Sequence, residues 1–213
     1  ANSEADTEQT SVRWFPYLKG GEYRKWAGNA EHVVNWKKNG EKIRGFVDSA
    51  TGRVRSHNYN GVWAFQGGVT WSSVSSGNFC VRYVEGHFMF DATGTMGFPN
   101  ASIDSLEVAS YLNSAPATYL MHILAPTIRF QPGHPLNLPF PPRVPDGARE
   151  NASICKHISM LDWDSYETSW GFSRSPLLVG ERQPLLSEAY AGLKAVWRSW
   201  IEETLVAEQS NNQ

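Results

Sequence analysis

Short apolar runs broken by glycine, asparagine and serine dominate the first half of the chain, and longer apolar stripes follow. His32–Trp36 (His-Val-Val-Asn-Trp) is a β-branched and aromatic run closed by Lys37-Lys38-Asn39-Gly40, which predicts a strand and then a turn. Glu41–Val47 places Ile43, Phe46 and Val47 on one side, the spacing of a short helix. Gly67-Gly68 releases Val69–Val74, Phe79–Val84 alternates around Cys80, Arg82 and Tyr83, and His87–Phe90 follows Gly86. Three short strands parted by Ser-Ser-Gly-Asn and Glu-Gly predict an antiparallel meander. Ser102 then offers a cap for a helix carrying Ile103, Leu106, Val108, Ala109, Tyr111 and Leu112. Asn113-Ser114-Ala115-Pro116 interrupts it, and Pro116 suits the start of a second helix through Leu124. Beyond Pro126, Thr127–Phe130 has the look of a short strand. A last helix from about Pro184 carries Leu186, Ala189, Leu193, Val196, Trp197, Trp200, Ile201 and Leu205 at helical spacing, a broad stripe that nothing later in the sequence covers.

These elements predict an α+β domain over residues 11–143, with a mostly antiparallel sheet and packed helices. A polar, acidic leader (1–10) of disordered or tag-like character precedes it. Pro132–Pro145 holds six of the twelve prolines and marks a boundary. A linker follows over 144–183, then a C-terminal helix (184–213) that begins a further helical region. With 213 residues, 41% of them hydrophobic and 19% charged, the chain can bury about 70% of its unfolded surface and needs no staples. No apolar run approaches the ~18 residues that span a bilayer, and Cys80 and Cys155 are too few for a cystine scaffold. A reducing cytoplasm is the expected location.

Charge changes the picture more than composition does. The net charge of −2 hides ten basic against four acidic residues over 11–57, a net +6, and four basic against eight acidic over 158–213, a net −4. Rings crowd in and beside the positive segment: Trp14, Phe15, Tyr17, Tyr23, Trp26, Trp36, Tyr59, Trp63 and Trp71. Cations that meet phosphates, interleaved with flat rings, suit nucleic acid. The same rings suit a carbohydrate platform, which stands as the rival reading.

Signs of catalysis are few. Gly20-Gly21, Gly67-Gly68 and the pair Gly94 and Gly97 lack the spacing of a nucleotide loop. Asp91-Ala-Thr-Gly-Thr95 reads as a turn after a strand, and Asp162, Asp164 and Glu167 as acids at a helix N-terminus. The six histidines form no ligand spacing, and neither a Gly-x-Ser-x-Gly elbow nor a His-Glu-x-x-His pair is present.

Several segments together carry a resemblance. They are Arg13-Trp-Phe-Pro-Tyr-Leu-Lys-Gly-Gly-Glu-Tyr-Arg-Lys-Trp26, Val33-Val-Asn-Trp36 with Asn39-Gly40-Glu-Lys-Ile-Arg44, and Gly68-Val-Thr-Trp-Ser-Ser-Val-Ser-Ser-Gly-Asn-Phe79. Tyr111-Leu-Asn-Ser114 with Ala125-Pro-Thr-Ile-Arg-Phe-Gln131 follows, then Asp162-Trp-Asp-Ser-Tyr-Glu-Thr-Ser-Trp170 running into Arg174-Ser-Pro-Leu-Leu178. In this order the set resembles the PglX adenine-specific DNA methyltransferases of BREX phage-defence systems, in the region after the catalytic domain. The resemblance implies a target-recognition domain excised from a larger enzyme. Its partners would be double-stranded DNA, the catalytic domain of the same polypeptide and other defence-complex proteins, with no membrane. S-adenosylmethionine is implied for the parent enzyme and no cofactor for this chain. The pocket motif of the Asn-Pro-Pro-Tyr kind is missing; the sole Pro-Pro lies in Phe140-Pro-Pro-Arg143.

Recognition divides into phosphate contacts that position and base contacts that specify. For the first, the positive segment offers Arg24, Lys25, Lys37, Lys38, Lys42, Arg53 and Arg55. For the second, the polar run offers Thr70, Ser72, Ser73, Ser75, Ser76, Asn78 and Arg82. No residue is expected to be catalytic or to bind metal. Besides the carbohydrate rival, the uncovered stripe of helix 184–207 suits a protein-interaction domain.

Overall fold

A computed structural model describes residues 11–56, 61–179 and 185–212. The leader, Tyr59 and Pro184 lie outside the described residues. Two three-stranded sheets form an α+β fold. In the first, β1 (Trp14–Leu18) runs antiparallel to β2 (His32–Asn35) and parallel to β5 (Met89–Phe90). In the second, β3 (Gly68–Ser72) is central, antiparallel to both β4 (Arg82–Val84) and β6 (Gly94–Gly97). The helices are α1 (Lys37–Arg44), α2 (Ser105–Leu112), α3 (Ala115–Leu124), α4 (Gly133–Leu136), α5 (Ala148–Trp163) and α6 (Leu186–Asn211). Among the described residues, no helix is long and apolar enough to cross a membrane.

The expected meander is corrected at Gly86. After β4 the chain turns through His87, in a left-handed conformation at φ 88°, and β5 leaves to pair with β1 in the other sheet. Phe65 N–H donates to Phe88 O at 2.9 Å and His87 N–H to Phe65 O at 3.2 Å, and these bonds fix the crossing. The strand expected over Phe79–Val84 is shorter because the Asn113 side chain takes part of its ladder. Val81 N–H donates to Asn113 Oδ1 at 2.9 Å, and Asn113 Nδ2 donates back to Val81 O at 3.0 Å. Thr127–Phe130 forms only an isolated bridge, Arg129 to Val74.

Helix limits follow capping chemistry. Asp104, not Ser102, caps α2, because its carboxylate accepts from Leu106 N–H at 2.7 Å while Glu107 accepts from Asp104 N–H. Pro116 stands in the first turn of α3, as expected, and the Ser114 side chain caps that helix. Helix α1 begins as a turn: Lys38, Asn39 and Gly40 have φ of 52°, 52° and 70°, so the predicted turn and helix merge. It ends at Arg44, which leaves Phe46 and Val47 outside it and exposed. Helix α5 has no counterpart in the sequence reading. Its buried positions Ala148, Ala152 and Cys155 are small and give a weak hydrophobic signal. Asp162 and Asp164 therefore stand at a helix C-terminus, not the expected N-terminus.

Three apolar clusters hold these parts. Val69, Trp71, Phe79 and Val81 pack with Ala109, Leu112, Met121 and Phe130 between the second sheet and helices α2 and α3. Phe15, Trp36, Phe65 and Met89 form a smaller core under the first sheet, with Ile43 of α1 against it. Trp26, Leu106, Ala152, Cys155 and Ala207 join α2, α5 and α6.

Candidate nucleic-acid interface

Residues 37–56 leave the first sheet as a basic tongue. They carry six cations (Lys37, Lys38, Lys42, Arg44, Arg53, Arg55) against Glu41 and Asp48, a net +4. Two anchors root the tongue. Ile43 packs into the core of the first sheet, and a Cβ on Gly40 would lie 2.6 Å from the Trp36 ring, so only glycine allows this approach at φ 70°. Farther out, Val47 bridges Val54, Asp48 N–H donates to Arg53 O at 2.8 Å and Arg55 N–H to Phe46 O at 2.8 Å. Asp48 closes the tip. Its carboxylate accepts from Ala50 N–H at 2.9 Å, from Thr51 N–H at 2.8 Å and from the Arg55 guanidinium. The bond from Arg55, then those from Thr51 and Ala50, hold the Asp48 pKa down to about 2.

Lys37, Lys38, Lys42, Arg53 and Arg55 are all exposed on this tongue. Lys38 has a 3.6 Å contact with Glu41, a pair open to water and so of little energy. Arg44 lies 5.4 Å over the Trp36 ring and Arg13 lies 4.9 Å over Trp14. Both arginines join the same end, because Trp36 N–H donates to Arg13 O. Sequence order alone parts Arg13 from the tongue; only the β1–β2 pairing brings them together.

A second group gathers at the opposite end of β1. Ser73, Ser75, Ser76 and Asn78 share one loop, with Ser76 and Asn78 exposed and the other two half-buried. Ser73 N–H donates to Thr93 O and Ser75 N–H to Ile128 O, both at 3.0 Å, so the loop is braced from two sides. Beneath it a Cβ on Gly77 would touch the Tyr23 ring at 3.1 Å. The loop lies past the Leu18 end of β1, where Gly20 and Gly21 meet Thr93 and Ser72, and the tongue past the Trp14 end, where β1 pairs with Asn35.

The remaining candidates lie elsewhere. Thr70 Oγ1 donates to Thr95 O at 2.9 Å and Ser72 Oγ to Gly21 O at 2.9 Å, both from buried positions. Arg82 is 2% exposed, and its guanidinium donates to Arg24 O at 3.3 Å and Ser72 Oγ at 3.5 Å. Burial, more than the neighbouring Arg24, pushes its pKa below the ordinary value. These three side chains serve the interior and reach no outer surface. Arg24 and Lys25 are half-buried clamps. Arg24 meets Asp162 at 2.7 Å and lies 5.1 Å over Trp163, while Lys25 meets Glu208 at 3.1 Å.

The glycine turns are filled by the protein itself. A Cβ on Gly20 would be 2.7 Å from Thr93 O, and one on Gly94 2.5 Å from Leu18 O. Asp91 accepts from Thr93 N–H at 2.8 Å and Gly94 N–H at 3.0 Å, which makes the expected turn. Among the described residues no three of His, Cys, Asp or Glu are placed to hold a metal ion.

No protein-family model matches the chain. It is 42% identical over 203 residues to the adenine-specific methyltransferase PglX of Lacticaseibacillus casei (strain Zhang), a match covering 94% of this chain and 16% of that protein. It is 32% identical over 168 residues to the adenine-specific methyltransferase BrxX of Escherichia coli O9:H4 (strain HS), covering 78% of this chain and 13% of that protein. The chain thus spans between about one eighth and one sixth of the length of the curated relatives it matches.

Proposed function

The chain belongs to the PglX family of adenine-specific methyltransferases, and on that premise we propose that it is the DNA-recognition module of an adenine-N6 methyltransferase in a BREX-type phage-defence system. The observation that carries this reading is the exposed tongue, where Lys37, Lys38, Lys42, Arg53 and Arg55 project around a single weak acid contact and one structural aspartate. Such a surface attracts a polyanion, and phosphate contacts fix the register of a duplex without reading it. Reading then falls to Ser73, Ser75, Ser76 and Asn78, whose hydroxyls and amide match the donors and acceptors of base edges.

Methyl transfer belongs, in this reading, to the remainder of the parent polypeptide. S-adenosylmethionine, the methyl donor of such enzymes, does not fit the glycine turns of this chain, whose space is taken by Thr93, Ser72 and Leu18. Partners beyond DNA are the catalytic domain of the same polypeptide and other proteins of the defence complex.

Fluorescence anisotropy with a random-sequence duplex across a salt series tests the reading. If the five tongue cations each meet a phosphate, the slope of log affinity against log salt is about −4.5, and Lys37→Ala with Lys42→Ala flattens it by about 2. Absence of binding at low salt, or an affinity indifferent to salt, overturns it.

A further inference from the structure

A cation from outside the basic segment stands beside the polar loop. Val74 bridges Arg129 in antiparallel register, flanked by the bonds from Ser75 N–H to Ile128 O at 3.0 Å and from Phe130 N–H to Ser73 O at 2.8 Å. Those bonds make Val74 and Arg129 a non-hydrogen-bonded pair, the arrangement in which opposed side chains stand closest and share one face. The short two-stranded ribbon is held firmly at its inner end. Phe130 is buried, its ring lies 5.4 Å from Phe79, and its carbonyl accepts from Trp71 Nε1 at 3.0 Å. The outer end is open: Ser76 and Asn78 on one side and Thr127, Ile128 and Arg129 on the other are exposed.

Charge sets this ribbon apart from the tongue. No aspartate or glutamate occurs over 49–84 or 108–145, the two stretches that supply its strands. Asp91, which enters the neighbouring turn, is taken up by Thr93, Gly94 and Lys19. Among the described residues nothing pairs with the Arg129 guanidinium; the residue's one bond runs from its backbone N–H to Thr127 Oγ1 at 3.3 Å. A phosphate grip gathers several cations, as the tongue does. A single free guanidinium set among hydroxyls, an amide and a valine fits base edges instead, because its planar fork matches two acceptors at once. The major groove admits a two-stranded ribbon, and guanine presents O6 and N7 there to such a fork. Resting on the DNA-binding reading above, we propose that the ribbon 73–75/128–130 enters the major groove and that Arg129 is a specificity-determining residue, reading a guanine through O6 and N7. It takes the role that burial denies to Arg82. Val74, opposed across the bridge, gives the arginine stem an apolar flank, and the anchored Phe130 holds the strand that presents it.

The test selects duplexes bound by the whole chain from a random-sequence library, then measures the enriched word by anisotropy with single-base replacements. The word is expected to hold a guanine whose exchange for adenine weakens binding roughly five- to a hundredfold. Exchange for 7-deazaguanine, which lacks N7, loses part of that. Inosine, which keeps O6 and N7 and lacks only the minor-groove amine, binds as guanine does. Arg129→Ala removes a side chain that supports no other, so the chain folds as the parent does. It binds random-sequence duplex with the parent's affinity and salt slope, and loses its preference for that guanine. A chain that binds duplex but enriches no word, or a word without guanine on either strand, overturns the inference and leaves the DNA-binding reading standing. So does an Arg129→Ala chain with the parent's preference, or one whose salt slope on random duplex falls by about 0.9, the mark of a phosphate contact. Weakening by inosine and not by 7-deazaguanine puts the contact in the minor groove and also overturns it. Failure to bind any duplex at low salt overturns both readings.

Discussion

Asp48 is the smallest unit on which the tongue's shape depends, and its titration exposes that role. A carboxylate whose folded pKa is lowered from 3.8 to about 2 contributes order that is fully present above about pH 4. That order is lost as pH falls through about 2, when the acceptor for Arg55, Thr51 and Ala50 becomes a neutral acid. Carboxyl carbon shifts of Asp48 are expected to titrate with a midpoint near 2, and the Ala50 and Thr51 amides to exchange faster below it. A midpoint at the ordinary 3.8 contradicts the closed tip. The same residue shows what sequence conveys at this scale and what it withholds. Asp-Ser-Ala-Thr-Gly between Val47 and Arg53 has the composition of a turn. That Arg55 is held by Asp48 while Lys42 and Arg53 point outward depends on bridge register, which the composition does not state. Arg82 is the harder case. An arginine in a polar, alternating run reads as an outward residue, because a buried guanidinium without a nearby acid is uncommon. Backbone carbonyl and hydroxyl oxygens supply its acceptors instead.

Elements were legible where their signal lay in large side chains or caps, and obscure where it lay in small ones. The apolar stripe of α6 predicted a helix, and its Leu186, Ile201 and Leu205 remain exposed. What docks α6 is invisible to hydropathy: Ala207 enters the core, and polar tips do the rest. Glu208 accepts from Lys25 Nζ at 3.1 Å and from Trp26 Nε1 at 2.7 Å, Asn211 Nδ2 donates to Ser110 O at 3.0 Å, and Ala115 N–H donates to Asn212 Oδ1 at 2.7 Å. Removing Glu208 strands an indole N–H that is buried with Trp26, and such a loss ranks with other unsatisfied buried donors. Glu208→Ala is expected to lower unfolding free energy by about 1–3 kcal/mol in a denaturant titration, with helix content falling as α6 comes away. Glu202→Ala, from an exposed turn of the same helix, serves as the control and should shift it by no more than about 0.5 kcal/mol. Equal losses from both variants contradict docking through the last turns. Helix α5 escaped the sequence for the same reason as this dock. Ala148, Ala152 and Cys155 bury well because they are small, and small residues carry little periodic signal.

Charge orders the whole molecule along the chain. The tongue at net +4 hangs from the first sheet, whereas the segment 158–213 at net −4 includes all of α6. The half-buried Arg24 and Lys25 are already matched by Asp162 and Glu208, so they add little to the outer field. The exposed acids Glu188, Glu202 and Glu203 of α6 remain unneutralised by any ion pair described for them. On the DNA-binding reading proposed above, an approaching duplex is drawn to the tongue and repelled from α6, and the repulsion acts over distances set by the ~10 Å Debye length at 0.1 M salt. A field of this kind changes encounter rates more than contacts in the complex. Converting Glu188, Glu202 and Glu203 to glutamine should speed DNA association roughly two- to fivefold at low ionic strength, with dissociation nearly unchanged. The gain should fade as salt shortens the Debye length, because no contact with DNA has been made or lost. Stopped-flow anisotropy at several salt concentrations separates the cases. An acceleration that persists at high salt means that α6 touches the duplex directly. In that event the bound DNA lies along the C-terminal helix as well as the tongue, and the two ends of the charge pattern are parts of one binding surface.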